Sequence, residues 1–186
     1  VLGQLMVLGF SLLGNFDAGR IMLLPAAVRS GEVWRLLTFV FVPPVTTLSL
    51  TGAIFLAFGW YIFYLMGGAL EQHWGVFRYN AFLFLGWLLT AATAFITPGF
   101  YATNGYIAAT VFLAFAYLNP DFVMYIFFIL PVKIKWLALI AWIGYGFVLL
   151  TGGWPERPMV LASVGNFLVL FSLDIVRSIR SGQPPM

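Results

Sequence analysis

Long apolar runs with very few charged residues limit how this chain can fold more than any other feature. The 186-residue sequence is 62% hydrophobic and 19% aromatic, and only 8% of its residues are charged. Soluble domains carry about 25% charged residues, so this chain has too few polar side chains to cover a globule in water. The sequence therefore predicts an integral membrane protein whose apolar side chains face lipid.

Counts of charged and metal-binding residues exclude several classes of function. The net charge is +3, and the basic residues form no stripe or patch of the kind that binds nucleic acid. The chain has no cysteine and one histidine, His73, which excludes thiol nucleophiles, thiolate metal sites and multi-histidine metal sites. We therefore expect no cofactor, no metal and no nucleic-acid partner.

The apolar runs predict six membrane-spanning helices, separated by charged, Pro-rich or Gly-rich breaks. We expect an all-α membrane protein with a single domain over 1–186 and a tail at 174–186. The chain opens on Val1 with no basic residue before its first apolar run, which predicts a first helix trimmed at its start rather than a signal peptide. The predicted spans cover about 1–13, 47–70, 79–96, 102–118, 136–151 and 158–173.

Two connecting segments are predicted to lie at the membrane interface. Residues 17–44 combine charged residues such as Arg20 and Glu32 with many apolar ones, which is typical of an amphipathic interfacial loop. Residues 122–130 are apolar but too short to cross a bilayer, so we expect an interfacial or re-entrant piece. Six spans place both termini on one side, and the Lys and Arg distribution favours the cytoplasm by a small margin.

Four short motifs occur in an order that resembles one known family. The first precedes the second predicted span, the second ends that span, the third links spans four and five, and the fourth lies in span six. Together they resemble the rhomboid superfamily over most of the chain. Their residues are Trp34 and Arg35 within Gly31 to Phe39; Gly67, Gly68, Glu71 and Gly75; Leu118 to Asp121 with Pro131 to Lys133 and Trp136; and Val164, Gly165 and Asn166.

The resemblance implies a six-transmembrane-helix, rhomboid-like bundle with an interfacial first loop and lateral access for a client transmembrane helix. Rhomboid proteases use a serine on helix four, a histidine on helix six, and an oxyanion-binding histidine and asparagine on helix two. The matching positions here are Gly105, Ser163, Phe55 and Gly59, in that order. Nucleophilic hydrolysis needs an activated hydroxyl and oxyanion donors. We therefore predict no catalytic residue, and the chain resembles an inactive rhomboid-like pseudoprotease or a derlin.

Polar and small residues beside these positions have structural interpretations. We expect Thr103 and Asn104 to cap helix four or to bond its backbone. We expect Ser163 to bond a carbonyl of its own helix or of a neighbouring helix. Gly105 and Ala109, with the small residues Ala162, Ser163 and Gly165, predict a close contact between helices four and six, so that Gly105→Leu should sharply destabilise the fold.

Motif residues at the membrane interface are interpreted as anchors. Trp34 is expected at the headgroup level, with Arg35 snorkelling to headgroups or capping loop carbonyls. Alternatively, both residues hold the first loop open toward client helices. Glu71 is expected in a solvated cluster near Arg78 or His73 at the end of helix two.

These observations favour a non-proteolytic, rhomboid-like membrane protein that binds or handles transmembrane clients, as in membrane protein quality control. Helix six and the charge-free part of helix four supply about 16 residues, or roughly 24 Å, against a hydrocarbon core of about 30 Å, which favours local membrane thinning. The expected partners are the lipid bilayer and transmembrane clients or a membrane complex. The alternatives are an active intramembrane serine protease with displaced chemistry, a structural subunit, and a channel or transporter. No charged residue interrupts a predicted span, which disfavours a coupled transporter.

Overall fold

A computed structural model describes the chain over residues 1–14, 16–44, 49–97, 101–126, 129–154 and 156–181. The described part is mainly helical, with eight α-helices, two short 3-10 helices and one two-stranded sheet. The α-helices are α1 (Leu2–Leu12), α2 (Pro25–Arg29), α3 (Arg35–Thr38), α4 (Leu50–Trp74), α5 (Val76–Ile96), α6 (Gly105–Leu118), α7 (Ile134–Thr151) and α8 (Glu156–Ser181). The 3-10 helices are η1 (Ala18–Ile21) and η2 (Phe39–Phe41), and the strands are β1 (Val123–Ile126) and β2 (Leu130–Lys133).

Three helices of the described chain are long and apolar enough to cross a membrane: Thr51–Trp74, Val76–Ile96 and Ile134–Thr151. They correspond to the predicted second, third and fifth spans. The helices Leu2–Leu12 and Gly105–Leu118 are apolar but shorter. By length and composition, the chain is therefore a mainly helical protein with three candidate membrane-spanning helices.

The junction between α4 and α5 depends on one glycine. Gly75 is the single residue between the two helices and has a φ angle of +78°. Only glycine adopts this left-handed region without steric cost, so Gly75 ends α4 and lets α5 begin at once. At its other end α4 is capped by Ser49, whose Oγ accepts a hydrogen bond from the Gly52 amide at 3.0 Å.

The predicted interfacial loop, 17–44, is a folded layer of short helices rather than an open connection. Leu23 and Phe39 are fully buried and pack with Ala94 of α5 and Met159 of α8. The Leu23 carbonyl also accepts a hydrogen bond from the Ala102 amide at 3.0 Å. These contacts attach the loop to the ends of the long helices.

The main core surrounds α6, whose residues from Thr110 to Ala116 are largely buried. Phe82 of α5, Phe115 of α6 and Phe171 of α8 are almost completely buried there. In contrast, α7 lies at the periphery, with Ile134 as its buried residue. The short α6 is therefore enclosed by protein, whereas α7 exposes its apolar side chains.

The sequence predictions for two segments are refined by the structure. Within the segment predicted as an interfacial or re-entrant piece, 122–130, residues Val123–Ile126 form β1, which pairs antiparallel with β2 (Leu130–Lys133). Its position relative to a membrane stays a prediction. The sixth predicted span ended at 173, but α8 continues to Ser181, so most of the predicted tail 174–186 is helical. Residues 182–186, and the predicted start of the second span at 47, lie outside the described residues.

Candidate functional site

A cavity of about 680 Å³ lies between α1, the end of the 17–44 loop, α4, α5 and the start of α6. Its wall is apolar and aromatic, and its polar groups are carboxamides and indole nitrogens. None of the described residues that line it has a charged side chain. Such a lining suits an apolar or uncharged amphipathic group. The lining residues include Gln4, Phe41, Phe55, Gly59, Trp60, Phe63, Asn80, Phe84, Trp87, Asn104 and Gly105.

Three of the four positions matched to rhomboid chemistry line this cavity. Phe55 and Gly59 are one helical turn apart on α4, and Gly105 is the first residue of α6. Ser163 of α8 does not line the cavity, but its Oγ donates to the carbonyl oxygen of Tyr106 at 3.2 Å. The four positions therefore gather around the first turn of α6, and Ser163 makes the interhelical bond expected for it.

Among the described residues, the hydroxyl groups near this turn have no neighbouring proton acceptor of the kind a nucleophile needs. The Thr103 Oγ1 accepts a hydrogen bond from the Gly105 amide at 3.4 Å, in the capping role expected for it. The Ser163 Oγ lies 3.5 Å from the Tyr145 hydroxyl, and a protonated phenol cannot take the proton of a serine. His73 stands 18 residues after Phe55 on α4, or about 27 Å along the helix. Within the described residues, no three His, Cys, Asp or Glu side chains lie together as metal ligands would.

A hydrogen-bond network closes the loop end of the cavity. The Asn104 Nδ2 donates to the carbonyl oxygens of Val40 and Val42, both at 2.9 Å. The Gln4 Nε2 approaches the same two oxygens at 3.3 and 3.4 Å, and the Gln4 Oε1 accepts from Trp60 Nε1 at 2.6 Å. Asn104 occupies the N-cap position of α6 but makes no capping bond, so the predicted cap is wrong. Its side chain holds the loop to the helix because the loop carbonyls have no partner within a helix or strand.

The loop is also held by Arg35, which is buried. Its Nη1 donates to the carbonyl oxygens of Gly19 and Met22 at 2.8 and 2.9 Å, and its Nε and Nη2 both lie 2.6 Å from Glu32 Oε2. Of the interpretations above, the structure matches the capping of loop carbonyls. Trp34, the neighbouring motif residue, is about half exposed and caps no helix with its side chain.

The glycine and glutamate motif lies at the far end of α4 from the cavity. A Cβ atom at Gly67 would lie 2.5 Å from the Tyr79 hydroxyl, whereas a Cβ at Gly68 would meet no atom within 4 Å. Glu71 is half-buried in the last turns of α4 and forms no ion pair with any described residue. The predicted solvated cluster of Glu71 near Arg78 or His73 stays a prediction. This motif shapes the α4–α5 junction rather than the cavity.

The predicted helices four and six, which are α6 and α8, are joined by hydrogen bonds from Ser163 to Tyr106 and from Asn166 to Thr110, but neither Gly105 nor Gly165 brings them together. A Cβ at Gly105 would meet only Thr103 Oγ1, at 3.3 Å, and one at Gly165 would meet no atom within 4 Å. At Gly86 of α5, a Cβ would lie 2.8 Å from Nδ2 of the fully buried Asn166 of α8. The missing side chain at Gly105 therefore leaves room in the cavity, and Gly86 permits close helix packing.

Sequence reasoning missed several residues of the site. Gln4 was a detectable signal, because it is the one polar side chain in the first ten residues of an apolar run. Trp60 and Trp87 gave no such signal, because tryptophan is common in membrane helices. Trp87 Nε1 donates to the Leu36 carbonyl at 2.8 Å and so joins α5 to the loop.

Comparison of the chain with protein-family models, with curated proteins and with solved structures finds no match.

Proposed function

We propose that this protein is a non-proteolytic, rhomboid-like membrane protein that receives apolar parts of transmembrane clients in its cavity. The proposal includes a six-span bundle with cytoplasmic termini. The observation that carries it is the composition of the cavity at the matched positions. Phe55, Gly59 and Gly105 offer an apolar surface and open space where the resemblance would place the nucleophile and the oxyanion-binding groups.

The size of the cavity limits how a client would bind. A helix with its side chains is about 10 Å across and rises 1.5 Å per residue, so the 680 Å³ of the cavity would hold only about six residues of it. A client would therefore insert a few side chains or a short segment, and the rest of its helix would stay in lipid. Gln4 and Asn104 stand where they would meet polar groups of that segment.

The lengths of the apolar helices support local thinning of the membrane on the side of α7 and α8 only. The buried α6 meets protein, so its shortness places no demand on lipid. The exposed α7 has 18 residues, or about 27 Å, and the apolar part of α8 has about 16, or 24 Å. Both are shorter than the hydrocarbon core of about 30 Å, and a client entering beside them would meet a thinner bilayer.

The absence of protease activity is tested with a fluorophosphonate probe, which labels activated serines. We expect no labelling of the purified protein in detergent or in liposomes, and no cleavage of a transmembrane reporter peptide. Labelling that disappears in Ser163→Ala, or cleavage that disappears in Thr103→Ala, would favour the alternative of a protease with displaced chemistry.

Client binding is tested by photo-crosslinking in native membranes from a residue at the cavity. The crosslinker replaces Phe55, which lines the cavity, and the control position is Leu168 of α8, which has a similar exposure of 43% against 47%. We expect several single-pass proteins to be captured from position 55 and not from 168. Capture of one fixed multisubunit partner would favour a structural subunit, and equal capture from both positions would contradict the proposal.

A further inference from the structure

The β1–β2 hairpin has two different faces. Its antiparallel register pairs Val123 with Lys133, Met124 with Val132 and Tyr125 with Pro131. Residues directly opposite each other share a face, and the Met124–Val132 pair is the half-buried one, with Met124 packed against the main core. The Val123–Lys133 and Tyr125–Pro131 pairs are exposed and form the outer face, and the fourth pair of the register is Ile126 with Leu130.

This outer face has the composition of a surface that does not meet water. Val123, Tyr125 and Pro131 are exposed, and Ile129 in the turn is 83% exposed. An antiparallel hairpin with one face in water normally carries polar residues on that face. Of the four residues in the two outer pairs, only Lys133 is charged, and it lies at the base of the hairpin.

The hairpin is fixed to the end of a candidate membrane span. β2 ends at Lys133 and α7 begins at Ile134, with no linker between them. The Ile134 amide donates to the Phe122 carbonyl at 2.8 Å, and the Lys135 amide donates to the Pro120 carbonyl at 3.3 Å. Trp136, 56% exposed in the first turn of α7, is the kind of residue found at the headgroup level. The apolar outer face therefore lies at the depth where lipid chains meet headgroups.

The base of the hairpin carries an excess positive charge. Asp121 Oδ1 accepts hydrogen bonds from Lys133 Nζ at 2.9 Å and from Lys135 Nζ at 3.3 Å. One carboxylate therefore faces two ammonium groups, both of which are about half exposed. A phosphate group is the anion that this layer of the membrane supplies, and basic residues beside a span attract anionic lipids.

We propose that the segment 121–135 is an interfacial lipid-binding element that seats its apolar outer face at the headgroup–chain boundary and binds the phosphate of an anionic lipid through Lys133 and Lys135. The inference requires α7 to cross the membrane, and it stands whether or not the cavity receives clients.

The seating of the outer face is tested by spin labelling, which is direct because the chain has no cysteine. A nitroxide on Ile129→Cys is compared with one on Ile143→Cys in the middle of α7 and with free label in buffer. We expect the label at 129 to be several-fold less accessible to a water-soluble nickel reagent than the free label, and less deep than the label at 143. Accessibility equal to that of the free label would overturn the proposal.

The phosphate site is tested with variants that lower or raise the net positive charge at the base of the hairpin. Lys135→Gln removes the excess charge and keeps the closer Lys133–Asp121 pair, whereas Asp121→Asn removes the neutralising carboxylate. In nanodiscs of mixed phosphatidylcholine and phosphatidylglycerol, we expect phosphatidylglycerol enrichment around the protein to rise from Lys135→Gln through the natural chain to Asp121→Asn.

Arg20→Gln is the matched control, because Arg20 is an exposed cation in the 17–44 loop. Equal enrichment in all three hairpin forms, or a loss in Arg20→Gln as large as in Lys135→Gln, would overturn the phosphate site. Unfolding temperatures of the variants show whether each one folds, and a destabilised Lys135→Gln is replaced by Lys135→Met.

Discussion

At the scale of single residues, Gly86 and Asn166 determine how closely α5 and α8 pack. Asn166 is fully buried, and its Nδ2 donates to the Phe82 carbonyl at 3.4 Å and to Thr110 Oγ1 at 3.3 Å. Away from water, a polar side chain of this kind joins helices by hydrogen bonds, and small residues let the backbones approach. If the Asn166 amide moved away from α5, it would lose its bond to the Phe82 carbonyl.

Gly86→Ala is therefore expected to destabilise the protein. The added Cβ would lie 2.8 Å from Asn166 Nδ2, and overpacking a tight contact costs about 1–3 kcal/mol. Gly165→Ala is the matched control, since its Cβ would meet no atom within 4 Å and alanine favours a helix. Thermal unfolding in detergent measures both. An unchanged melting temperature for Gly86→Ala would mean that Asn166 shifts without cost.

At the scale of elements, the β1–β2 hairpin is joined to α7 by an ionic contact as well as by backbone hydrogen bonds. Hydrogen bonds from Lys133 and then Lys135 hold the pKa of the Asp121 carboxyl below its usual range. Because the folded pKa is the lower one, ionised Asp121 stabilises the hairpin above the usual carboxyl range, and this contribution is lost as the pH falls through the lowered pKa.

The protection of the hairpin amides from hydrogen exchange is therefore expected to be independent of Asp121 titration near neutral pH. It should decline below about pH 4, where an ordinary aspartate becomes protonated. Hydrogen exchange of the β1 and β2 amides measures this, and added salt should weaken the effect because the groups are exposed. Asp121→Asn should remove the acid-dependent step. A step of equal size in Asp121→Asn would assign it to another group.

At the scale of the whole molecule, apolar length differs between the candidate membrane-spanning helices. The candidate span of α4 is 24 residues long, that of α5 is 21, and that of α7 is 18. At 1.5 Å per residue these lengths are about 36, 32 and 27 Å. The candidate span of α7 therefore matches a thinner bilayer than those of α4 and α5.

Bilayer thickness should therefore change stability when the protein is placed in nanodiscs of defined lipids. Mismatch costs fractions of a kcal/mol per ångström, so a longer-chain phosphatidylcholine should lower the unfolding temperature relative to a shorter-chain one. The reference is the same protein in detergent, where no fixed thickness is imposed. Stability that rises steadily with thickness would contradict the thinning part of the proposed function.

The apolar runs and their Gly, Pro and charged breaks were enough to locate α4, α5 and α7 to within about four residues at each end where the end is described. A helix in lipid must satisfy its own backbone hydrogen bonds, so its position depends on local sequence. Gly75 was also detectable as a break from local sequence, since a one-residue connection between two helices requires the conformational freedom of glycine. The strand β1 (Val123–Ile126) was not detectable in this way, because a strand in a hairpin is stabilised by pairing with the strand that follows it.

The cavity depended on the tertiary structure. Gln4, Trp60 and Asn104 are far apart in the chain and meet only when α1, α4 and α6 pack around the 17–44 loop. The sequence alone determined that Gly105, Ser163, Phe55 and Gly59 stand where the resemblance would place a serine, two histidines and an asparagine. Only packing decided that the space at Gly105 would remain open while the space at Gly86 would be filled, because that depends on which helix faces each glycine.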